Sequence, residues 1–456
     1  MMKLIKISIV LVLLVQATAS AKVILPAVID NNMVLQRTTV AKLWGKAGPG
    51  VKITIKTSWN NKLYTVTAQG DSSWTIGVNT PEAGGPYTIS FNDGELLTLK
   101  NILIGEVWVC SGQSNMSMPV KGFKNQPIEG SDELLLHAEN PKIRLMQIER
   151  QFSVKPEFDG KVIPWAEANA ESVAGFSAVG YIYAKILQEK LKIPIGIIMT
   201  AWGGTKIEAW MNSSSIKEKA KITHNSPTVL YNAMIKPIEG YAIKGFIWYQ
   251  GEANRSNAPQ YAQLMEAMVK GWRKGWNIGE LPFYYVQIAP FKYDGDHKSA
   301  FLREAQLKAS TLIPNSGMVV SMDVGRETFI HAPDKTTIAK RLALWALANN
   351  YGISKLAYAS PVYQSMAIKE DIIEIHFDHA TNGLSTFGKE LTGFEIAGVD
   401  QVFYPAIAKV TSNGVMVRND QVKKPVAVRY AFKDWIVGNL FNKEGLPASS
   451  FRTDNW

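Results

Sequence analysis

The chain has 456 residues, of which 46% are hydrophobic and 19% charged, with 35 Gly and 21 Pro. That is the composition of two or three globular domains, and it excludes a small disulfide-stapled scaffold, a coiled coil and a disordered chain. The net charge of +10 comes from scattered Lys and Arg with no block of five or more like charges, so it does not indicate nucleic acid, and the single cysteine, Cys110, allows neither an internal disulfide nor a thiolate metal cage.

Residues 1–21 pair two lysines with an apolar run from Ile7 to Val15 and end in Ala19-Ser20-Ala21. This is the pattern of a signal peptide cleaved after Ala21, and it predicts an exported protein, periplasmic or secreted. The apolar run is about half of the roughly 20 residues needed to span a bilayer, and no second long run follows, so no stable membrane insertion is expected. Over residues 22–100, short segments such as VKITIKTSW, KLYTVTAQG and PYTISFNDGELLTLK alternate apolar and polar residues between turn formers. Period-two alternation predicts antiparallel strands and hence an N-terminal β-sandwich, with Trp44, Trp59 and Trp74 at core positions.

Over residues 101–355 the texture changes. Apolar runs predict buried strands at Ile102 to Cys110, Ile195 to Thr200, Lys244 to Tyr249, Phe283 to Ile288 and Gly317 to Asp323. Between them, helical periodicity covers Ser177 to Lys192, Gln260 to Trp276, Ala300 to Leu312 and Lys335 to Tyr351. Strands apolar throughout, alternating with amphipathic helices, predict an α/β domain with a parallel sheet covered on both faces. In residues 356–456 the alternation returns, as in DIIEIHFDHA and PVAVRYAF. This C-terminal β-rich region is either a separate small sandwich or a set of strands completing the N-terminal one.

In an open parallel sheet, ligands bind beyond the carboxyl ends of the strands. The residues there are polar and small: Ser111-Gly112-Gln113-Ser114-Asn115-Met116, Ala201-Trp202-Gly203-Gly204-Thr205, Gln250-Gly251-Glu252-Ala253-Asn254, and Asp323 leading to His331. A serine attacks an ester only when a base removes its proton, and histidine exchanges protons near neutral pH, so Ser114 and His331 form the candidate nucleophile and base. Of the six histidines only His331 follows the last sheet strand and precedes a long helix. The Ser114 N–H, the Gly203-Gly204 backbone and the Gln250 amide are the candidate oxyanion donors.

At these residues the sequence resembles an SGNH-type hydrolase and, more narrowly, the sialate O-acetylesterase family. The matching segments are VWVCSGQSNM at 107–116, AWGGTKIEAW at 201–210, LYNAMIKPI at 230–238, IKGFIWYQGEAN at 243–254, LREAQ at 302–306 and IHAPDK at 330–335, in family order over about 250 residues. The resemblance implies a flavodoxin-like three-layer α/β/α hydrolase core with an accompanying β-sandwich. It also implies removal of O-acetyl groups from carbohydrates without metal or organic cofactor, with Ser114 as nucleophile, Gly204 and Gln250 at the oxyanion positions and His331 as base. Many SGNH hydrolases carry an acid three residues before the histidine, where this chain has Thr328. Asp323 is the first choice for the acid because a carboxylate at the strand end can orient the imidazole, with Glu252, Asp334 or a backbone carbonyl as alternatives, and Asp334 better placed as a helix cap.

Trp202 is expected to meet a sugar ring, and Arg303 or Arg326 to receive a sialic acid carboxylate. Sialic acid, xylan and pectin acetyl esters all fit this reading. A glycan-binding protein on an inactive hydrolase scaffold is the alternative of a different class, and a lipase or thioesterase a third. The sequence gives no indication of oligomeric state.

Overall fold

The computed structural model describes residues 22–212, 222–293 and 298–456. The expected signal peptide and His297 lie outside the described residues. Seven strands form the central sheet: β1 (Leu96–Gly112), β2 (Asn140–Ile148), β3 (Val162–Ala168), β4 (Ile195–Ala201), β5 (Gly245–Tyr249), β6 (Phe283–Val286) and β7 (Ser316–Val319). Their order is β7-β6-β5-β1-β4-β2-β3, parallel from β7 to β2 and antiparallel only between β2 and β3.

Four long helices cover the sheet: α2 (Ala178–Leu191), α3 (Ala258–Trp276), α4 (Lys298–Leu312) and α5 (Lys335–Asn350), the short α1 (Ser114–Ser117) preceding them. Alternate residues of each strand point to opposite faces. Thus Val107, Val109, Phe246 and Trp248 pack with Met265, Trp272 and Leu302 of α3 and α4. Trp108, Cys110, Ile247 and Tyr249 pack with Ile182, Leu187, Ile338 and Leu342 of α2 and α5. The result is the expected three-layer α/β/α core. Trp248 belongs to it: its ring meets Trp272 edge-on at 5.7 Å and Trp210 at 6.1 Å, all three fully buried.

Local chemistry sets the helix ends. Ser177 accepts from the Gly180 N–H at the start of α2, and Asp334 accepts from the Thr337 N–H at 2.9 Å at the start of α5, the capping role expected of it. Lys192 and Asn277, both in the left-handed region, end α2 and α3.

β1 runs for 17 residues and serves two sheets. Its first half pairs antiparallel with Gly84–Asn92, which pairs in turn with Lys52–Thr57, and its middle pairs parallel with Val34–Gln36. Val40–Lys46 and Ser73–Asn79 form the facing ribbon. Trp74 lies in that core, while Trp44 and Trp59 pack edge-on against Tyr241 and Tyr87. The C-terminal strands pair only with one another among the described residues, in two four-stranded antiparallel sheets built on Val362–Lys369 and Ile372–Asp378, and on Phe394–Gly398 and Pro425–Tyr430, with a two-stranded pair of Leu384–Ser385 and Phe441–Asn442 beside them.

Candidate active site

β1 and β5 together position Ser114. Gly112 ends β1 at φ +137°, where a Cβ would stand 2.2 Å from the Tyr249 carbonyl oxygen, so only glycine lets the chain turn there. The next residue anchors the turn: the Gln113 N–H donates to the Tyr249 carbonyl at 3.0 Å. Gln113 Oε1 accepts from the Gly251 and Ala253 N–H groups of the loop after β5. α1 starts at once, leaving Ser114 half-buried while Gln113, Asn115 and Met116 are buried. From the loop after β4, Gly203 approaches so closely that a Cβ on it would lie 3.1 Å from Ser114 Cβ.

Asn115 joins the turn that bears Ser114 to the loop that bears His331. Its Nδ2 donates to Glu252 Oε1 at 2.6 Å and to the carbonyl of Ile330, the residue before His331, at 3.2 Å. Its Oδ1 accepts from Lys335 Nζ at 2.5 Å, and that ammonium lies 5.5 Å from the centre of the Tyr249 ring. Lys335 is fully buried, and burial pushes it down to about 7 although Glu252 and Asp334 favour its charged form. Burial also raises the Glu252 carboxyl, more than Asn115 and Lys335 lower it. The sequence reading used neither Asn115 nor Lys335. The signal for Lys335 was present: it shares the apolar stripe of α5 with Ile338 and Leu342, an unusual place for a lysine.

His331 lies in the loop between β7 and α5, with the Phe123 ring edge-on at 5.2 Å and its Nδ1 at 2.5 Å from Gln126 Oε1. With the amide oxygen assigned to that contact, Nδ1 carries the proton and Nε2 is the basic nitrogen. Burial first, and the Lys335 charge second, lower His331 from 6.5 to about 4.

Several predicted site residues stand elsewhere than expected. Asp323 does not orient His331: its two oxygens take the Arg341 guanidinium at 2.7 and 2.6 Å, because a buried arginine on α5 requires a counter-charge. Gln250 is not a free oxyanion donor. It is fully buried, its Nε2 donates to the Thr205 carbonyl at 3.0 Å and to Asn254 Oδ1 at 2.8 Å, and its Oε1 accepts from the Tyr261 hydroxyl. It therefore fixes the loop behind Gly204. Gly204 itself is exposed, and its carbonyl accepts from Asn225 Nδ2. Among the described residues neither the Ser114 nor the Gly204 N–H has a hydrogen-bond partner, so both backbone amides are free to donate.

Arg303 is not at the site surface either. It is fully buried and donates to Ser450 Oγ and the Lys433 carbonyl of the C-terminal region. Arg326 is exposed and paired with Glu129. Trp202, by contrast, stands on the rim. His224 stacks on it at 5.0 Å with 13° between the planes, and Phe152, about half exposed, lies at 6.5 Å. His224 carried no signal in the sequence because its neighbour in space is twenty-two residues away along the chain.

A sequence profile of the family described as "Carbohydrate esterase, sialic acid-specific acetylesterase" matches residues 104–347. The sialate O-acetylesterase of Homo sapiens is 30% identical over 389 residues, covering 75% of this chain and 73% of that protein. The sialate O-acetylesterase of Mus musculus is 27% identical over 486 residues, covering 89% of each chain. Among solved structures, a carbohydrate acetylesterase from Xanthomonas citri superposes with a TM-score of 0.89 at 36% identity, covering 95% of this chain and all of that one.

Proposed function

The chain belongs to the sialic acid-specific acetylesterase family of carbohydrate esterases, and from that premise we propose that it is an exported serine esterase that removes O-acetyl groups from sugars, with sialic acid as the first substrate class. The protein is a carboxylic-ester hydrolase, so the proposal concerns which residues act and on what. The observation that carries it is the Asn115 bridge, which ties the turn bearing Ser114 to the carbonyl before His331.

Ser114 Oγ attacks the acetyl carbonyl carbon while His331 Nε2 takes the hydroxyl proton. The carbonyl oxygen becomes the oxyanion and takes hydrogen bonds from the Ser114 and Gly204 N–H groups. Collapse expels the sugar oxygen, which receives the proton from His331, and leaves acetyl-serine. Water, deprotonated by His331, then attacks the acyl carbon, and acetate leaves with Ser114 restored. Trp202, with His224 and Phe152 beside it, offers flat apolar area to the C–H face of a sugar ring.

The test is acetate release from O-acetylated sialic acid and from acetylated xylan by the mature protein and its Ser114→Ala variant. Release on either that is lost in the variant supports a serine acetylesterase, and preference for sialic acid supports the substrate class. Equal release by the variant refutes the nucleophile. Export is tested separately, by whether deleting residues 1–21 keeps the protein in the cytoplasm of a producing cell.

A further inference from the structure

A serine esterase needs something on the far side of its histidine ring, because the nitrogen facing the serine is basic only when the other carries the proton. The carboxylates that the sequence offers for that task have other partners, Glu252 through Oε1 alone. Asp323 is held by Arg341, Asp334 caps α5 through the Thr337 N–H, and Glu252 accepts from Asn115. The position three residues before the histidine is Thr328. The group that meets His331 Nδ1 is the side-chain amide of Gln126, at 2.5 Å.

Gln126 is also held to that place. Its N–H donates to the Phe123 carbonyl and its carbonyl accepts from the Phe123 N–H, both at 3.0 Å, closing a tight loop. The same loop lays the Phe123 ring edge-on to the imidazole. Three residues on, the Glu129 N–H donates to the Pro333 carbonyl at 3.1 Å, stapling the loop to the segment that carries His331.

We propose that Gln126 is the positioning residue of the esterase, fixing the His331 tautomer and ring orientation through Nδ1 where a triad would place a carboxylate. The inference rests on His331 being the base. An amide orients the ring but supplies no negative charge to the imidazolium that forms during the reaction. Acylation therefore runs on a base that is fixed in direction and weak in proton affinity. The charged groups around the ring are Lys335 on α5, Asp334 at its cap, Glu252 behind Asn115, and the Arg326–Glu129 pair of the flanking loops. Lys335 titrates near 7 and so is charged across the whole acidic range.

The experiment measures kcat and KM for acetate release from an acetylated sugar between pH 3.5 and 8, with roughly that span set by the histidine range. It compares wild type, Gln126→Glu, Gln126→Ala and His331→Ala, with the melting temperature of each variant recorded. A glutamate in place of Gln126 puts a negative charge against the imidazolium, so the acidic limb of kcat/KM should move up by about 1–3 pH units. Gln126→Ala should lower kcat about tenfold or more with KM little changed. A purely structural residue would not move the limb in the charged variant. If His331→Ala is inactive while Gln126→Glu leaves the limb in place and Gln126→Ala turns over within about twofold of wild type, the role of Gln126 is refuted and the base assignment stands. If His331→Ala turns over like wild type, the base assignment fails and this inference falls with it.

Discussion

A half-buried imidazole with an ammonium behind it holds a proton weakly, and this fixes the pH range over which His331 can act. A histidine base works only as the neutral ring, and burial together with the Lys335 charge pushes His331 down to about 4. Activity should therefore persist well below the ordinary imidazole value and fall as pH drops through about 4, where the ring charges. Replacing Lys335 by Met removes the like charge while keeping most of the volume, so the acidic limb of kcat/KM should rise. It should stop between about 4 and 6.5 because burial, the larger cause, remains. A limb unmoved in Lys335→Met would mean that the ammonium does not act on the ring. The same lysine costs stability when charged, since its folded value of about 7 lies below the 10.5 of an exposed lysine. Below pH 7 that cost is fully present, and it fades as pH rises from 7 toward 10.5. A residue kept in place against stability fits a role in fixing Asn115 and tuning the base.

At the scale of elements, the site depends on two strand ends and two glycines that constrain Ser114 differently. Gly112 meets backbone: a side chain there would collide with the Tyr249 carbonyl and require a left-handed conformation. Gly112→Ala should cost about 2–4 kcal/mol, read as a fall in the chemical denaturation midpoint. Gly203 meets Ser114, tightly at its Cβ and only at ordinary contact distance at its backbone, so Gly203→Ala displaces that side chain by a few tenths of an ångström. That variant should keep its melting temperature within a few degrees and lose turnover about tenfold. Equal stability losses in the two variants would contradict this division. The strands that build this rim were legible because they are apolar throughout, and β1, β4, β5, β6 and helices α2 to α5 lie within about two residues of the predicted spans at their site ends. β2 and β3 were not, because Arg144, buried and paired with Glu167 at 3.0 Å, breaks the apolar run of one and Pro164 that of the other. Ser114 and His331 stood out by their place after strands. Asp323, Gln250 and Arg303 had the right chemistry, but residue type does not reveal which atoms already have partners, and Gln126 sits in a loop with no periodicity to mark it.

At the scale of the whole molecule, Arg303 decides how the C-terminal β region is attached. It is fully buried on α4, bonded to Ser450 and Lys433, beside the Arg255–Asp434 pair at 3.3 Å. Asp434 also accepts from the Ser299 N–H at the start of α4, and Gln287, just beyond β6, donates to Ser449. Around these polar ties one apolar cluster runs without a break from Leu302 and Met322 to Phe394, Tyr430 and Phe451. A receptor for a sialic acid carboxylate would act on charged substrates alone. Arg303→Met should then raise KM for O-acetylated sialic acid and leave acetylated xylan untouched. A buried tie between two units makes the opposite demand: both substrates should be affected alike, through a loss of about 2–4 kcal/mol of stability from stranded hydrogen-bond partners. Thermal unfolding of the variant alongside KM on the two substrates separates these outcomes. Because the same cluster also packs against the strand end leading to His331, loosening this attachment should lower turnover on both sugars before the protein unfolds.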